Sequence, residues 1–426
     1  MSKIINRLGR GLRDLFGPEG STKIMNYFEG KAGGFEEATN IVKAVREGSL
    51  NRRTFLIQTL LAGATVTFSA CAVKTDEIDR IVDRELGEIK IPDKLPGKKI
   101  QSPEYYGLGP DCLLGVAYGG RHYGLQYVDE LFKRQSGVNM SFYVNMSKYS
   151  QMPYGMIRSN IGVFADKGII PMVTYAGDYG YGREGEILEM NKGAFDAYLR
   201  GKFDKNIAED AKKLRKEGEK YGGFFLRVFQ EMNLRRKLYD WASRNRETYI
   251  KGWRKIWYIM DNEGANEYAT WVWNPYGAHS GHTDYSSKME QYYPGDKYVD
   301  WVGMNAYNFY GISANYGKRN RSFRQLLNNG YRRMKKYHSN KPLIIPELGC
   351  NEFSGKPKWF KDMFKTIDDW HYLKAIAMFS LKWSHDRTKN MDTRIDSSRE
   401  SEENFKNAIK NAKRVYGGKV PYKNYA

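Results

Sequence analysis

The sequence predicts an α/β fold: a (β/α)8 TIM barrel preceded by an N-terminal export and anchor segment and a tether. Three observations predict it. Short apolar runs of strand character recur eight times from residue 112 onward, separated by stretches of helical periodicity. Two of the runs end in a glutamate at their polar tip, and a carboxylate there is costly to bury without a partner or a task. The first 110 residues differ in composition and carry an export-like pattern.

The N-terminal part reads first. NRRTFLIQTLLAGATVTFSAC (51–71) sets Arg52-Arg53 before a modestly apolar stretch that is too short and too polar to span a bilayer. It resembles a twin-arginine export signal, and FSAC (68–71) resembles a lipobox with Cys71 as the lipidated residue. A diacylglycerol thioether at Cys71 would anchor the chain stably. About fifty residues precede the arginines, and residues 1–50 receive no chemistry. Residues 72–108, with IPDKLPGKK (91–99), read as a tether. The domains are therefore 1–71, 72–108 and a barrel over 109–426.

The strand runs follow in order: CLLGVAY (112–118), NMSFYVN (139–145), GIIPMVTY (168–175), GGFFLRVF (222–229), YATWVWN (268–274), YVDWVGMN (298–305), KPLIIPE (341–347) and LKAIAMFS (373–380). KNIAEDAKKLRKEGEKY (205–221) and YIKGWRKIWYIMDNEG (249–264) have the pattern of amphipathic helices. Eight such units over roughly 310 residues fit the barrel. A doubly wound sheet shares the periodicity, but no glycine-rich phosphate loop follows the first strand. Besides Cys71, only Cys112 and Cys350 are present, and they fall at opposite ends of the barrel, so no bridge is expected.

Glu231 closes the fourth run and Glu347 the seventh. Barrel chemistry sits at the C-terminal ends of strands, and a carboxylate pair there is what glycoside hydrolysis requires. Arg227 and Phe229 share strand parity with Glu231, so all three are expected to point to the barrel centre. An arginine there would hold a carboxylate ionised, or form a structural ion pair. Trp271 and Trp273 share one face of the fifth strand; the spacing does not say whether it is the interior or the helix side, and Trp273 is kept as a sugar-binding candidate.

RVFQEMN (227–233), WVWNP (271–275), YPGDKYVDWVGMNAYN (293–308), KPLIIPELG (341–349) and DTRIDSS (392–398) occur in this order and spacing. Together, from about Leu113 to Ala412, they resemble glycoside hydrolase family 26, the β-mannanase family among the retaining barrel glycosidases. The resemblance implies acid/base catalysis by Glu231 and nucleophilic attack by Glu347. It also implies that Tyr307 sits beside the nucleophile and that Trp383 floors the sugar site. Gln230 stands where the family usually has His; it can hydrogen-bond a hydroxyl but carries no charge. LRRKLYDW (234–241) replaces the usual glycine and aromatic-rich loop. That passes the aromatic function to Tyr239 or Trp241 and brings in Arg235, Arg236 and Lys237. Both departures point to altered specificity.

The formal charge is +20; residues 1–70 hold ten Lys/Arg against six Asp/Glu, so about +16 remains on the rest. That suits an acidic polysaccharide or an anionic membrane, while no zinc-finger, RNA-binding or helix-turn-helix pattern supports nucleic acid. His279 and His282 have metal-like spacing with only Asp284 near, which reads as a solvated pair; no metal and no cofactor are expected. The expectation is an exported, lipid-anchored, monomeric, retaining endo-β-glycosidase that cuts a mannan or related polymer, neutral or acidic. The alternative is a non-hydrolytic or transglycosylating carbohydrate-binding lipoprotein of polysaccharide assembly. The carboxylate pair favours the enzyme.

Overall fold

All eight expected runs form strands, and the last pairs with the first. In the computed structural model these are β1 (Cys112–Tyr118), β2 (Phe142–Tyr149), β3 (Ile170–Tyr175), β4 (Phe224–Val228), β5 (Ala269–Trp273), β6 (Trp301–Gly303), β7 (Leu343–Cys350) and β8 (Leu373–Phe379). Each is parallel to its neighbour, and Leu113 of β1 opposite Ala375 of β8 closes the barrel. The structure describes residues 99–422 apart from 109–111, 119–127, 150–160, 176–193, 235–238, 279–284, 313–319 and 386–387, single positions at 102, 107, 243 and 421, and some side chains at segment edges. The export signal, Cys71 and most of the tether therefore lie outside the described residues, as do Arg235 to Lys237 and His279, His282 and Asp284. Among the described residues no helix is long and apolar enough to cross a membrane, and no cluster of three metal-ligating side chains occurs.

The strands hold because both faces are covered. Inside, Phe142, Phe225 and Trp301 from the alternate strands β2, β4 and β6 meet, with ring centroids 6.4 and 5.1 Å apart, in the layered filling of a small barrel. Outside lie α1 (Val128–Ser136), α2 (Ala194–Leu199), α3 (Asp204–Tyr221), α4 (Arg246–Asn262), α5 (Phe323–Tyr337), α6 (Lys356–Asp369) and α7 (Arg399–Asn411). Asn245 caps α4, and Ser322 with Gln325 forms a capping box on α5, so orphan amides at both helix starts are satisfied. Gly115 is a packing requirement: a Cβ there would lie 2.3 Å from the Phe142 carbonyl oxygen of β2. Cys112 opens β1 and Cys350 closes β7; both are buried and free.

The chain enters at the end where the strands begin. The Ile100 amide donates to Thr270 Oγ1, Trp301 Nε1 donates to the Ile100 carbonyl, and Lys99 pairs with Asp300 at 2.8 Å. At the opposite rim, Ala306–Asn308 continues β6 beside Leu348–Cys350, and a hairpin follows β8 (Lys382–His385 with Thr388–Asp392).

Trp273 corrects an expectation. Its indole is fully buried on the helix side, against Tyr293 and His338 at 5.1 and 5.5 Å, and Trp271 on the same face packs on Trp253 of α4. The other parity of β5 (Thr270, Val272, Asn274) faces inward, so Trp273 belongs to the core.

His338 shares that pocket, and neither ring nitrogen has a hydrogen-bond partner. Burial lowers its pKa from 6.5 to about 4. The fold therefore prefers neutral His338, and the unfolded chain binds the extra proton. Stability present above pH 6.5 should be lost as pH falls from 6.5 to about 4. The loss should be on the order of 2 kcal/mol, allowing for partial solvation. Urea unfolding at pH 7, 5.5 and 4 should show a shallower decline for His338→Phe; parallel declines would contradict the assignment.

Candidate active site

β4 ends at Val228, and the backbone then leaves the strand. Phe229 and Glu231 have φ of 44° and 57°, the only positive values at non-glycine residues among those described. Such conformations cost of order 1 kcal/mol or more each and persist where surroundings enforce them. Here the Glu231 amide donates to the Asn274 carbonyl at 2.7 Å, and Asn233 exchanges two hydrogen bonds with the Tyr276 backbone. The parity expectation consequently fails past Val228. Phe229 swings out among Phe195, Tyr198, Trp241 and Tyr249, while Arg227 and Glu231 face the barrel mouth.

Arg227 is fully buried and spends its donors on three strands. Nη2 donates to Thr174 Oγ1 at 2.7 Å, and Nη1 donates to Asn274 Oδ1 at 3.1 Å and to Glu347 Oε1 at 2.5 Å. The other Glu347 oxygen accepts from Tyr307 Oη, also at 2.5 Å. Burial first, then the nearby Glu347 and Glu231 carboxyls, push the Tyr307 phenol well above its usual range, so it stays protonated and donates. Gly349 permits this contact, since a Cβ there would lie 2.6 Å from Tyr307 Cδ1. Glu347 thus receives a charge-assisted hydrogen bond from a guanidinium and a second from a phenol.

Glu231 has a different environment. Its Oε1 accepts from the neutral amide of Asn305 at 2.9 Å, and Asn305 is itself pinned to the segment after β5 by backbone bonds from Gly277 and to Pro275. The two carboxyls therefore have unlike partners.

Tyr239 completes the cluster. It stacks on Trp241 at 4.8 Å with planes 2° apart, and Trp241 Nε1 donates to the Gln230 carbonyl at 2.8 Å. Burial raises the Tyr239 pKa, then the Glu231 and Glu347 carboxyls; the Gln230 amide acts the other way. Tyr239 therefore stands within electrostatic reach of both carboxyls, with Gln230 buried against it. Trp241 is buried beneath Tyr239 and supports it. Of the two aromatics open to the replaced loop, Tyr239 is the one that faces the carboxyls.

The DTRIDSS segment holds the rim. Asp392 accepts two bonds from the Arg394 guanidinium, at 2.9 and 2.7 Å, and its amide donates to Asn351 Oδ1 just after β7. Fully buried Lys356 donates to the Arg394 carbonyl at 2.7 Å and to Ser397 Oγ at 2.6 Å. This ties down the hairpin bearing Trp383, whose backbone pairs with Met391; the Trp383 indole lies outside the described residues.

Sequence reasoning missed Thr174, Asn274 and Asn305. Each is a polar residue at the end of an apolar run, the same signal that singled out the two glutamates.

A model of glycosyl hydrolase family 26 matches residues 181–391, the stretch that carries every residue of this cluster except Thr174. Residues 181–391 belong to glycosyl hydrolase family 26. Endoglucanase H of Acetivibrio thermocellus is 30% identical over 264 residues, covering 60% of this chain and 26% of that protein, so the chain spans about a quarter of its relative's length. Two solved structures share the fold. The catalytic domain of the Bacillus sp. JAMB-750 GH26 endo-beta-1,4-mannanase aligns with TM-score 0.56 at 14% identity, covering 78% of this chain and 96% of that one. GH26A from Muricauda sp. MAR_2010_75 aligns with TM-score 0.53 at 16% identity, covering 74% and 94%.

Proposed function

We propose that this protein is a retaining endo-β-glycosidase, with Glu347 as nucleophile and Glu231 as acid/base. The observation that carries the reading is the asymmetry of the carboxyls: Glu347 takes hydrogen bonds from the Arg227 guanidinium and the Tyr307 phenol, and Glu231 takes one from the neutral Asn305 amide. In the first step the Glu347 carboxylate attacks the anomeric carbon while Glu231 gives its proton to the departing glycosidic oxygen, leaving a glycosyl ester. In the second, Glu231 takes a proton from water as that water attacks the same carbon and releases Glu347. The two carboxyls must then lie about 5–5.5 Å apart, as retention demands.

The substrate is read as a β-1,4-linked mannan or glucan, supported by a mannanase among the fold neighbours and an endoglucanase as the sequence relative. Gln230 and Tyr239, where the family usually has His and an aromatic-rich loop, would set the sugar preference at the scissile bond. The full chain incubated with mannan, β-glucans and xylan, products resolved by size, tests this. Internal cleavage of one β-glycan supports it, and no cleavage of any opposes it.

Arg235, Arg236 and Lys237 follow the acid/base turn, and their charge would speed capture of an acidic polymer, an effect screened over roughly 8–10 Å in salt. Neutralising all three should raise KM severalfold for an acidic glycan and leave a neutral one unchanged; equal KM values on both would remove the idea. Export is likewise proposed, from Arg52-Arg53 and FSAC. Arg52→Lys with Arg53→Lys should retain the precursor inside the cell, and Cys71→Ser should release the protein from membranes. A membrane-bound mature protein still carrying residues 1–50 would refute it.

A further inference from the structure

Between Asp300 and Glu347 the chain carries nine Lys or Arg side chains and no carboxylate. Within that stretch, α5 divides by charge. The exposed positions of its first half, Gln325 and Asn328, are neutral, whereas Arg332, Lys335 and Lys336 stand exposed on one face of the second half at i, i+3 and i+4. Arg324 and Arg333 are neutralised by Asp369 and Glu290. Among the described residues Arg332 and Lys335 meet no carboxylate, and Lys336 lies 5.1 Å from the Tyr337 ring centre. Tyr337, 47% exposed, is the one large hydrophobic side chain among those described that stands out into solvent.

Helices of this barrel run opposite to the strands, so the charged half of α5 lies where strands begin, away from Glu231 and Glu347. Exposed Lys297 and the half-buried Lys341 lie alongside, the latter donating to the Asp296 carbonyl. Asp296, the nearby carboxylate, is occupied by Tyr293 and Asn340. Just beyond, Lys99 pairs with Asp300 and the Ile100 amide donates to Thr270 at this same end. A helix C-terminus favours cations by itself. It does not call for an exposed tyrosine beside them.

We propose that this end of the barrel docks on an anionic phospholipid surface. Arg332, Lys335, Lys336 and Lys341 lie over the headgroups, Tyr337 sits at the interface, and the carboxylate pair faces away from the bilayer. Tyrosine suits that depth because its ring is apolar and its hydroxyl wet. Cations on the outward face of one helix meet a plane of headgroups more readily than they enclose a single polymer chain. Each cation close to an anionic surface adds about fivefold in partitioning.

The full chain carrying Cys71→Ser, which leaves no acyl anchor, is sedimented with vesicles of phosphatidylcholine alone and of phosphatidylcholine with phosphatidylglycerol. Binding is expected only to the anionic vesicles and should weaken with salt. Arg332→Gln, Lys335→Gln and Lys336→Gln together should reduce it about a hundredfold, while Lys335→Arg with Lys336→Arg should preserve it. Cleavage of a soluble glycan, if the protein cleaves one, should be the same in all of them. The vesicle result does not depend on that activity, so failure of the glycosidase reading leaves it standing. Equal vesicle binding by parent and triple-Gln variant overturns the proposal, as does absence of parent binding. So does a variant that loses affinity for soluble polygalacturonate and not for vesicles.

Discussion

Glu347→Ala should lower turnover on the order of 10⁴-fold or more, roughly 5 kcal/mol of barrier, and added azide should restore part of it. The expectation follows from where the carboxylate stands. Its two oxygens take Arg227 Nη1 and Tyr307 Oη, both at 2.5 Å, so truncation leaves a small cavity lined by two strong donors. Azide fits that description as an anion and can attack the anomeric carbon in the carboxylate's place, giving a glycosyl azide of inverted configuration. The variant will also be less stable, because buried Arg227 loses the carboxylate that balances its charge. Circular dichroism at the assay temperature separates that loss from the chemical one. A variant that is folded and near wild-type in rate would remove Glu347 from the nucleophile role.

The second large effect concerns proton delivery. Glu231→Ala should slow hydrolysis of a natural glycan by about 10²–10⁴-fold and barely slow formation of the glycosyl ester from an aryl glycoside with an activated leaving group. An activated phenolate departs without a proton, whereas a sugar alkoxide does not. Breakdown of the ester still lacks its base, so the aryl substrate should show a burst followed by a slow phase. The Asn305 contact of Glu231 suits the role: it is an uncharged hydrogen bond, in contrast with the guanidinium on Glu347. Equal losses on both substrate types would assign the proton to another group.

Most of the barrel was legible in the chain. Strands buried on both faces must be apolar throughout, so β1 to β8 stand out as eight short runs, and costly polar residues at their tips point to the mouth. Glu231 and Glu347 were found in this way and Arg227 by its parity with Glu231, while Thr174, Asn274 and Asn305 carried the same polar mark. Tyr307 was reached by resemblance, and its hydrogen bond to Glu347 is geometric.

Strand alternation misled at one place and left another open: parity holds only while the backbone stays extended and says nothing of which side is the interior. Past Val228, positive φ at Phe229 and Glu231 sends the first outward and the second inward, enforced by Asn274 and Tyr276 from a neighbouring strand. On β5, closure of the barrel turned Thr270, Val272 and Asn274 inward and gave Trp273 to the helix layer. The sequence by itself determined the eight βα units, the positions of the two carboxyls and the basic, acid-free stretch before Glu347. Tertiary structure alone decided which carboxyl receives the charge of Arg227, that Tyr239 rather than Trp241 stands within electrostatic reach of both, and that the cations of α5 lie at the end opposite the site. Those are contacts between residues far apart in the chain, and local pattern encodes a residue's exposure but not the partner that closure brings to it.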